Sequence, residues 1–266
     1  MSMALQDVRF RYGRNEVLCG ISFSLNQGEV LFVLGQNGAG KSTLFKCMLG
    51  LSGGYEGSIR LHGKEIRGYT PKQLARRTAY IPQSHQPIFD YAVLEVVLMG
   101  MASAVSAFSA PGKCHRMKAE QVLEDLGISH LKDRGYASLS GGERQLVLTA
   151  RALMQDTAIL LMDEPVANLD YGNQQRVLNA AASLAKRGYA VAVTSHHPEH
   201  AFLYADRVLV LEGGQIAALG SPIDVLTEEL LKRIYGIPVR LVNCNAGLKQ
   251  VRVCVPALQE EKEWIS

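Results

Sequence analysis

The chain has 266 residues, 47% of them hydrophobic, and a formal net charge of +3. That apolar content suffices for a buried core and excludes a disordered chain, while so small a charge gives no electrostatic reason to expect a nucleic-acid partner. No run of about 18 apolar residues lacks a charge; the best candidate, Ala92 to Phe108, is broken by Glu95, so no bilayer span is expected.

Met1 to Phe10 already carries Asp7 and Arg9 in a strand-like alternation, unlike a secretory signal. Alternation from about Ala4 to Ser24, and again from Gly57 to Gly63, predicts an antiparallel β layer with Arg9, Arg11, Arg60 and His62 on wetted faces. Tyr12 in this layer offers a flat π-face for stacking, with an ordinary core or surface tyrosine as the alternative. Glu29 to Leu34 reads as a buried strand and Ser42 to Leu49 as a helix. Between them run Gly35, Gln36, Asn37, Gly38, Ala39, Gly40, Lys41 and Ser42, with Thr43 following, which satisfies G-x-x-x-x-G-K-[ST]. The glycines let the backbone wrap an anion so that N–H groups and the helix N-terminus face it. Lys41 then brings a point charge to the β- and γ-phosphates of a nucleotide, and Ser42 a hydroxyl to Mg²⁺.

Thr70-Pro71 opens a short capped helix. Gln83, in Tyr80-Ile81-Pro82-Gln83, has a carbonyl and an amide on one side chain and so can touch Mg²⁺ or water while bonding elsewhere. From about Phe89 to Ala150 the pattern is helical, interrupted at Ser109 to Lys113. Ser140, Gly141 and Gly142 stand at the start of a helix, where a hydroxyl and bare N–H groups make a second anion site. Ala158 to Met162 is an apolar strand ending in Asp163-Glu164. Asp163 then sits at a strand's carboxyl end, where it helps to position Mg²⁺, and Glu164 is available as a general base for the attacking water. Tyr189 to Ser195 reads as a further strand, which projects His196 toward the γ-phosphate; the nearby His197 and His200 also invite a metal reading, though no acidic or cysteine ligand accompanies them. Arg207 to Leu211 and Gln215 to Leu219 follow as strands joined by Gly213-Gly214. A helix capped by Thr227 and alternating runs at Val239 to Val242 and Val251 to Val255 end the chain. Cys19, Cys47, Cys114, Cys244 and Cys254 are odd in number and have no ligand spacing, as expected in a reducing cytoplasm.

Taken in order, Tyr12, the phosphate loop, Gln83, Leu139 to Glu143, Asp163-Glu164, Ala167 to Asp170 and His196 resemble the ATP-binding subunits of ABC transporters over nearly the whole chain. The resemblance implies an α/β P-loop NTPase core with an antiparallel β subdomain and a helical subdomain inserted at about residues 89–150. It divides the chain into an ABC ATPase domain, 1–240, and a C-terminal extension, 241–266. It also implies ATP and Mg²⁺ as ligands, with Tyr12 stacked on adenine and residues 35–43 around the phosphates. Ser42, Gln83 and Asp163 would be near the metal, and Glu164, Gln83 and His196 would be the reactive set. Ser140, Gly141, Gly142 and Asp170 would face the ATP of a second copy across a head-to-tail homodimer. Two integral membrane permease subunits and an extracytoplasmic substrate-binding protein are the implied partners, with the ATPase peripheral on the cytoplasmic face of the inner membrane. Apolar residues after Gln83, namely Pro87, Ile88, Phe89 and Tyr91, are candidates for the groove that grips a permease. Leu226 to Val239 looks like the tail of ATPases serving metal-chelate, corrinoid or metal-oxyanion importers; the alternatives are an exporter ATPase or a soluble ABC protein outside transport. His197 stands where many relatives have Asp, and Ala167-Asn168-Leu169-Asp170 replaces the frequent Ser-Ala-Leu-Asp.

Overall fold

A computed structural model describes residues 2–83, 90–103, 111–155, 157–167, 169–246 and 249–257. In chain order the elements are β1 (Met3–Tyr12), β2 (Asn15–Leu25), β3 (Val30–Leu34), α1 (Lys41–Met48), β4 (Glu56–Leu61), β5 (Lys64–Glu65), α2 (Pro71–Ala75) and β6 (Thr78–Ile81). There follow α3 (Val93–Leu98), α4 (Lys113–Asp125), α5 (Gly141–Met154), β7 (Ile159–Met162), α6 (Tyr171–Lys186), β8 (Ala190–Ser195) and α7 (Pro198–Tyr204). Last come β9 (Arg207–Glu212), β10 (Gln215–Gly220), α8 (Pro222–Val225), α9 (Glu228–Tyr235), β11 (Val239–Ala246) and β12 (Lys249–Pro256).

The central sheet runs β10-β9-β3-β8-β7-β6, parallel except for β10, and a second, antiparallel sheet runs β2-β1-β4-β5. All of β3 is buried, as expected of a strand covered on both faces. Its alternating side chains serve two cores. Val30, Phe32 and Leu34 join the helices α3 to α6 and α9, whereas Leu31 and Val33 join Phe45 and Met48 of α1 and the inner face of the antiparallel sheet. The result is three layers, with the parallel sheet in the middle.

Local chemistry explains the boundaries. Thr70 accepts from the Gln73 N–H at 3.3 Å and starts α2 with Pro71 in its first turn. Thr227 accepts from the Leu230 N–H at 3.1 Å to start α9, and Gly236 ends it at φ 74°, a left-handed position that suits glycine. β6 is a strand that hydrophobic alternation does not pick out: four residues are too few to show a period. The last described elements form the β11–β12 hairpin, paired from Val239↔Pro256 to Ala246↔Lys249, so β11 crosses residue 240. The hairpin packs on α7 and α9 and is pinned where the Leu241 N–H donates to Glu228 Oε1 at 2.9 Å.

Candidate functional site

Parallel register decides which residues meet. Leu34 lies beside Ser195, Met162 beside Val193, and Ile81 beside Met162, so the carboxyl ends of β3, β8, β7 and β6 form one edge. The residues just past those ends are Gly35, His196, Asp163 with Glu164, and Gln83. Ligands in open α/β sheets bind at such an edge.

The turn from β3 into α1 is close to backbone on two sides. A Cβ at Gly35 would lie 2.5 Å from the Leu211 carbonyl oxygen, and one at Gly40, where φ is 101°, would lie 3.0 Å from that of Val17. Only glycine fits both positions. Gly40 leaves the first N–H groups of α1 without a side-chain cap, so they are free to meet an anion. Lys41, buried, donates to Gly35 O at 2.9 Å and to Gln36 O at 3.1 Å. A cleft of about 480 Å³ opens here, lined by Asn37, Gly38, Gly40 to Thr43, Val17, Gln83, Glu164, Ala167 and His196.

Thr194 organises the two carboxylates, although nothing in the sequence singled it out. Its hydroxyl donates to Asp163 Oδ1 at 2.7 Å and accepts the Glu164 N–H at 2.7 Å. The phenol of Tyr80 donates to Asp163 Oδ2 at 3.2 Å; burial, and then the Asp163 charge, hold that phenol well above its usual pKa. Glu164 takes a left-handed backbone, φ 44°, costly for a side chain of this kind and typical of a functional turn. This places Glu164 Oε1 at 3.4 Å from Lys41 Nζ, while Gln83 Nε2 donates to Glu164 Oε2 at 2.8 Å. His196 Nδ1 is 3.9 Å from the same oxygen. Lys41, Gln83 and His196 therefore converge on the one carboxylate of Glu164.

The groups expected near Mg²⁺ are all hard oxygen donors: the Ser42 hydroxyl, the Asp163 carboxylate and the carbonyl of Gln83, whose amide nitrogen is already committed to Glu164. That donor set fits the ion. Ser42 and Gln83 line the cleft directly, and Asp163 lies behind them, buried.

The histidines after β8 make a stack. The rings of His196 and His197 have centroids 4.1 Å apart and those of His197 and His200 are 5.1 Å apart. His197 Nδ1 bonds Glu199 Oε1 at 3.1 Å, which raises the pKa of that imidazole. Burial, and then the neighbouring His197, lower that of His196.

The remaining site residues lie apart from the cleft. Ser140 caps α5 reciprocally: its hydroxyl accepts from the Glu143 N–H at 3.3 Å, and its own N–H donates to Glu143 Oε2 at 2.8 Å. Those bonds hold the Glu143 carboxyl below its usual pKa. Asp170 caps α6 by accepting from the Asn173 N–H at 2.9 Å, the main reason its carboxyl is likewise lowered. Asn173 also closes on the Leu139 to Glu143 segment, since a Cβ at Gly142 would meet its Nδ2 at 2.7 Å. Asn173 thus joins Ser140 to Gly142 with Asp170 on one surface, and none of them lines the cleft. Tyr12, half exposed at the end of β1, packs edge-on against Phe10 at 4.8 Å between ring centroids and also stands outside the cleft. Of the groove residues expected from the sequence, Pro87, Ile88 and Phe89 lie outside the described residues, and Tyr91 is 44% exposed.

The family model described as ABC transporter matches residues 18–167. A hemin import ATP-binding protein, HmuV, of Nocardia farcinica is 41% identical over 85% of this chain and 78% of its own length. An iron chelatin transport ATP-binding protein of Helicobacter pylori is 35% identical over 91% of this chain and 96% of that one. Among solved structures, a metal-chelate type ABC transporter in an inward-facing conformation aligns with TM-score 0.84 and 31% identity over 97% of both chains.

Proposed function

The chain belongs to the ABC transporter family as an ATP-binding, ATP-hydrolysing subunit, and from that premise we propose that it powers the inward transport of a metal chelate such as hemin or a ferric chelate. One observation carries the catalytic reading: Lys41, Gln83, Glu164 and His196 meet around a single cleft beside the phosphate loop.

ATP enters with its phosphates on the loop backbone, and the γ-phosphate takes Lys41 over from Glu164. Mg²⁺, when bound, neutralises phosphate charge, and Ser42, Gln83 and Asp163 are the residues to hold it. Glu164, aimed by its left-handed backbone and held there by Thr194, accepts a proton from the attacking water. His196 bonds both the γ-phosphate and that water. In its neutral form one ring nitrogen donates and the other accepts. Tyr12 stacks on the adenine. Ser140 to Gly142 and Asp170 face the nucleotide of a second copy, so two chains close over two ATP molecules as a homodimer.

The partners we assign are two membrane permease subunits and an extracytoplasmic substrate-binding protein, with the ATPase bound at the cytoplasmic face of the membrane. No helix among the described residues is long and apolar enough to cross a bilayer, which accords with spans supplied by other chains. A groove of about 690 Å³ between α1 and α2, lined by Leu51, Tyr55, Ile66, Tyr69, Leu74 and Tyr80, offers an apolar seat for a permease. Tyr80 connects it to the chemistry, because its hydroxyl holds Asp163. Cargo is tested by deleting the gene and measuring cellular uptake of labelled hemin, ferric chelates, cobalamin and molybdate. Loss of one of the chelates is expected; wild-type entry of all four beside a fall in amino-acid, sugar or peptide uptake would overturn the cargo assignment.

A further inference from the structure

His197 has no part in the chemistry above, yet it is the residue most closely tied to His196. Their rings touch face to tilted face at 4.1 Å, and His197 is fixed from the other side by Glu199 at 3.1 Å. Helix α7 begins immediately after it at Pro198 and packs on β12 of the C-terminal hairpin. We propose that His197 is a positioning residue for turnover: clamped by Glu199, it holds the His196 ring at the nucleotide cleft in the form whose two nitrogens can donate and accept at once.

The proposal rests on the reading of His196 as the group that bonds the γ-phosphate and the attacking water. His196 Nδ1 is buried and has no hydrogen-bond partner among the described residues, with Glu164 Oε2 3.9 Å away. No bond of its own therefore fixes the ring there, which leaves its orientation to packing. A second proton on His196 would make both nitrogens donors, so the ring could no longer accept from the water that Glu164 deprotonates. Like charge opposes that proton. Glu199 stabilises the imidazolium of His197, and the His197 charge in turn disfavours protonation of His196.

The other charged and titratable groups around the pair are few. Glu164 after β7 favours a proton on either ring, and Lys41 of α1 opposes one on His196. His200, on α7 itself, is buried and disfavours its charged form. From the C-terminal side come Tyr235 of α9 and Cys254 of β12, each holding its proton more tightly through burial and then through the Glu199 charge, with Glu228 acting more weakly on Cys254. None of these is a cation facing His197 from the hairpin; from this side His197 adds to burial in opposing a proton on His196, and Glu199 acts more weakly in its favour.

The test uses the full-length chain with two replacements: His197→Phe, which keeps a ring and loses the charge, and His197→Gln, which keeps a hydrogen bond to Glu199 and loses both ring and charge. The titration midpoint of His196 is followed by NMR of its ring signals, and MgATP hydrolysis is measured across pH. Both variants should move the His196 midpoint upward and carry the acid limb of kcat with it, so that kcat at pH 6 falls by up to about fourfold, the loss expected if the ring returns to its ordinary value of about 6.5, while KM changes little. An unmoved midpoint in either folded variant overturns the proposal, as does a midpoint that moves without the acid limb. His196→Ala that keeps wild-type turnover would overturn the parent reading together with this one, which identifies where the failure lies.

Discussion

Replacing Glu164 with glutamine separates two roles of one carboxylate. Its Oε1 lies 3.4 Å from Lys41 Nζ, with both side chains largely buried. At that distance the gross attraction of two unit charges is about 5 kcal/mol for an effective dielectric constant of about 20, much of it offset by the cost of taking both ions out of water. A net value near the low end for a charge-assisted bond, about 1.4 kcal/mol, is what the phosphates of ATP must overcome to gain Lys41. The amide removes that competition while Lys41 keeps its bonds to the Gly35 and Gln36 carbonyls, so the variant should bind ATP about tenfold more tightly. It cannot take a proton from water, and turnover should fall by about 10²–10⁴. Isothermal titration gives the first quantity and a phosphate-release assay the second. Near-normal release would remove Glu164 from the role of base; weaker ATP binding by a folded variant would show that Glu164 does not compete for Lys41.

Three further outcomes follow from other parts of the site. MgATP should convert the Glu164→Gln chain from monomer to dimer in sedimentation, and adding Ser140→Arg should abolish that dimer; one unchanged species with and without MgATP would refute the shared nucleotide. Thr194→Val should destabilise the fold by about 1–3 kcal/mol in denaturant titration and slow turnover, because one buried hydroxyl serves both Asp163 and the Glu164 N–H, and Thr194→Ser should restore both; a valine variant of wild-type stability would dismiss this role. Burial lowers the pKa of His200 in the fold, so its contribution to stability is present above the unfolded value of about 6.5 and is lost as pH falls through the folded one. Melting temperature should then drop less from pH 7 to pH 5 in His200→Leu than in the wild type, and parallel declines would contradict that origin.

The phosphate loop was legible in the sequence because its glycines record backbone constraints directly: Gly35 abuts a carbonyl oxygen that no Cβ could approach, and Gly40 holds a left-handed φ of 101°. The caps at Thr70, Ser140 and Thr227 were legible for a similar reason, since each bond spans three residues along the chain. Contacts made across strands were not. Thr194 and Tyr80 are ordinary strand residues by composition, and only the β6-β7-β8 register, with Ile81 beside Met162 and Met162 beside Val193, brings their hydroxyls to Asp163. The apolar groove between α1 and α2 escaped notice on the same ground, being assembled from segments that are separate in sequence.

The C-terminal segment shows how such long-range contacts add function to a common core. Gln36, inside the phosphate loop, donates its side-chain amide to the Ile234 carbonyl in the last turn of α9. The hairpin that follows α9 packs on α7, the helix that starts two residues after His196. The C-terminal segment thus touches both the turn between β3 and α1 and the helix that follows His196. A shift of α9 against the sheet would be felt both at that turn and beside His196. Leu230, Leu231 and Ile234 bury the apolar face of α9, and the Gln36 bond adds a polar tie from that helix to the turn between β3 and α1, so the tail braces the candidate site as well as capping the core.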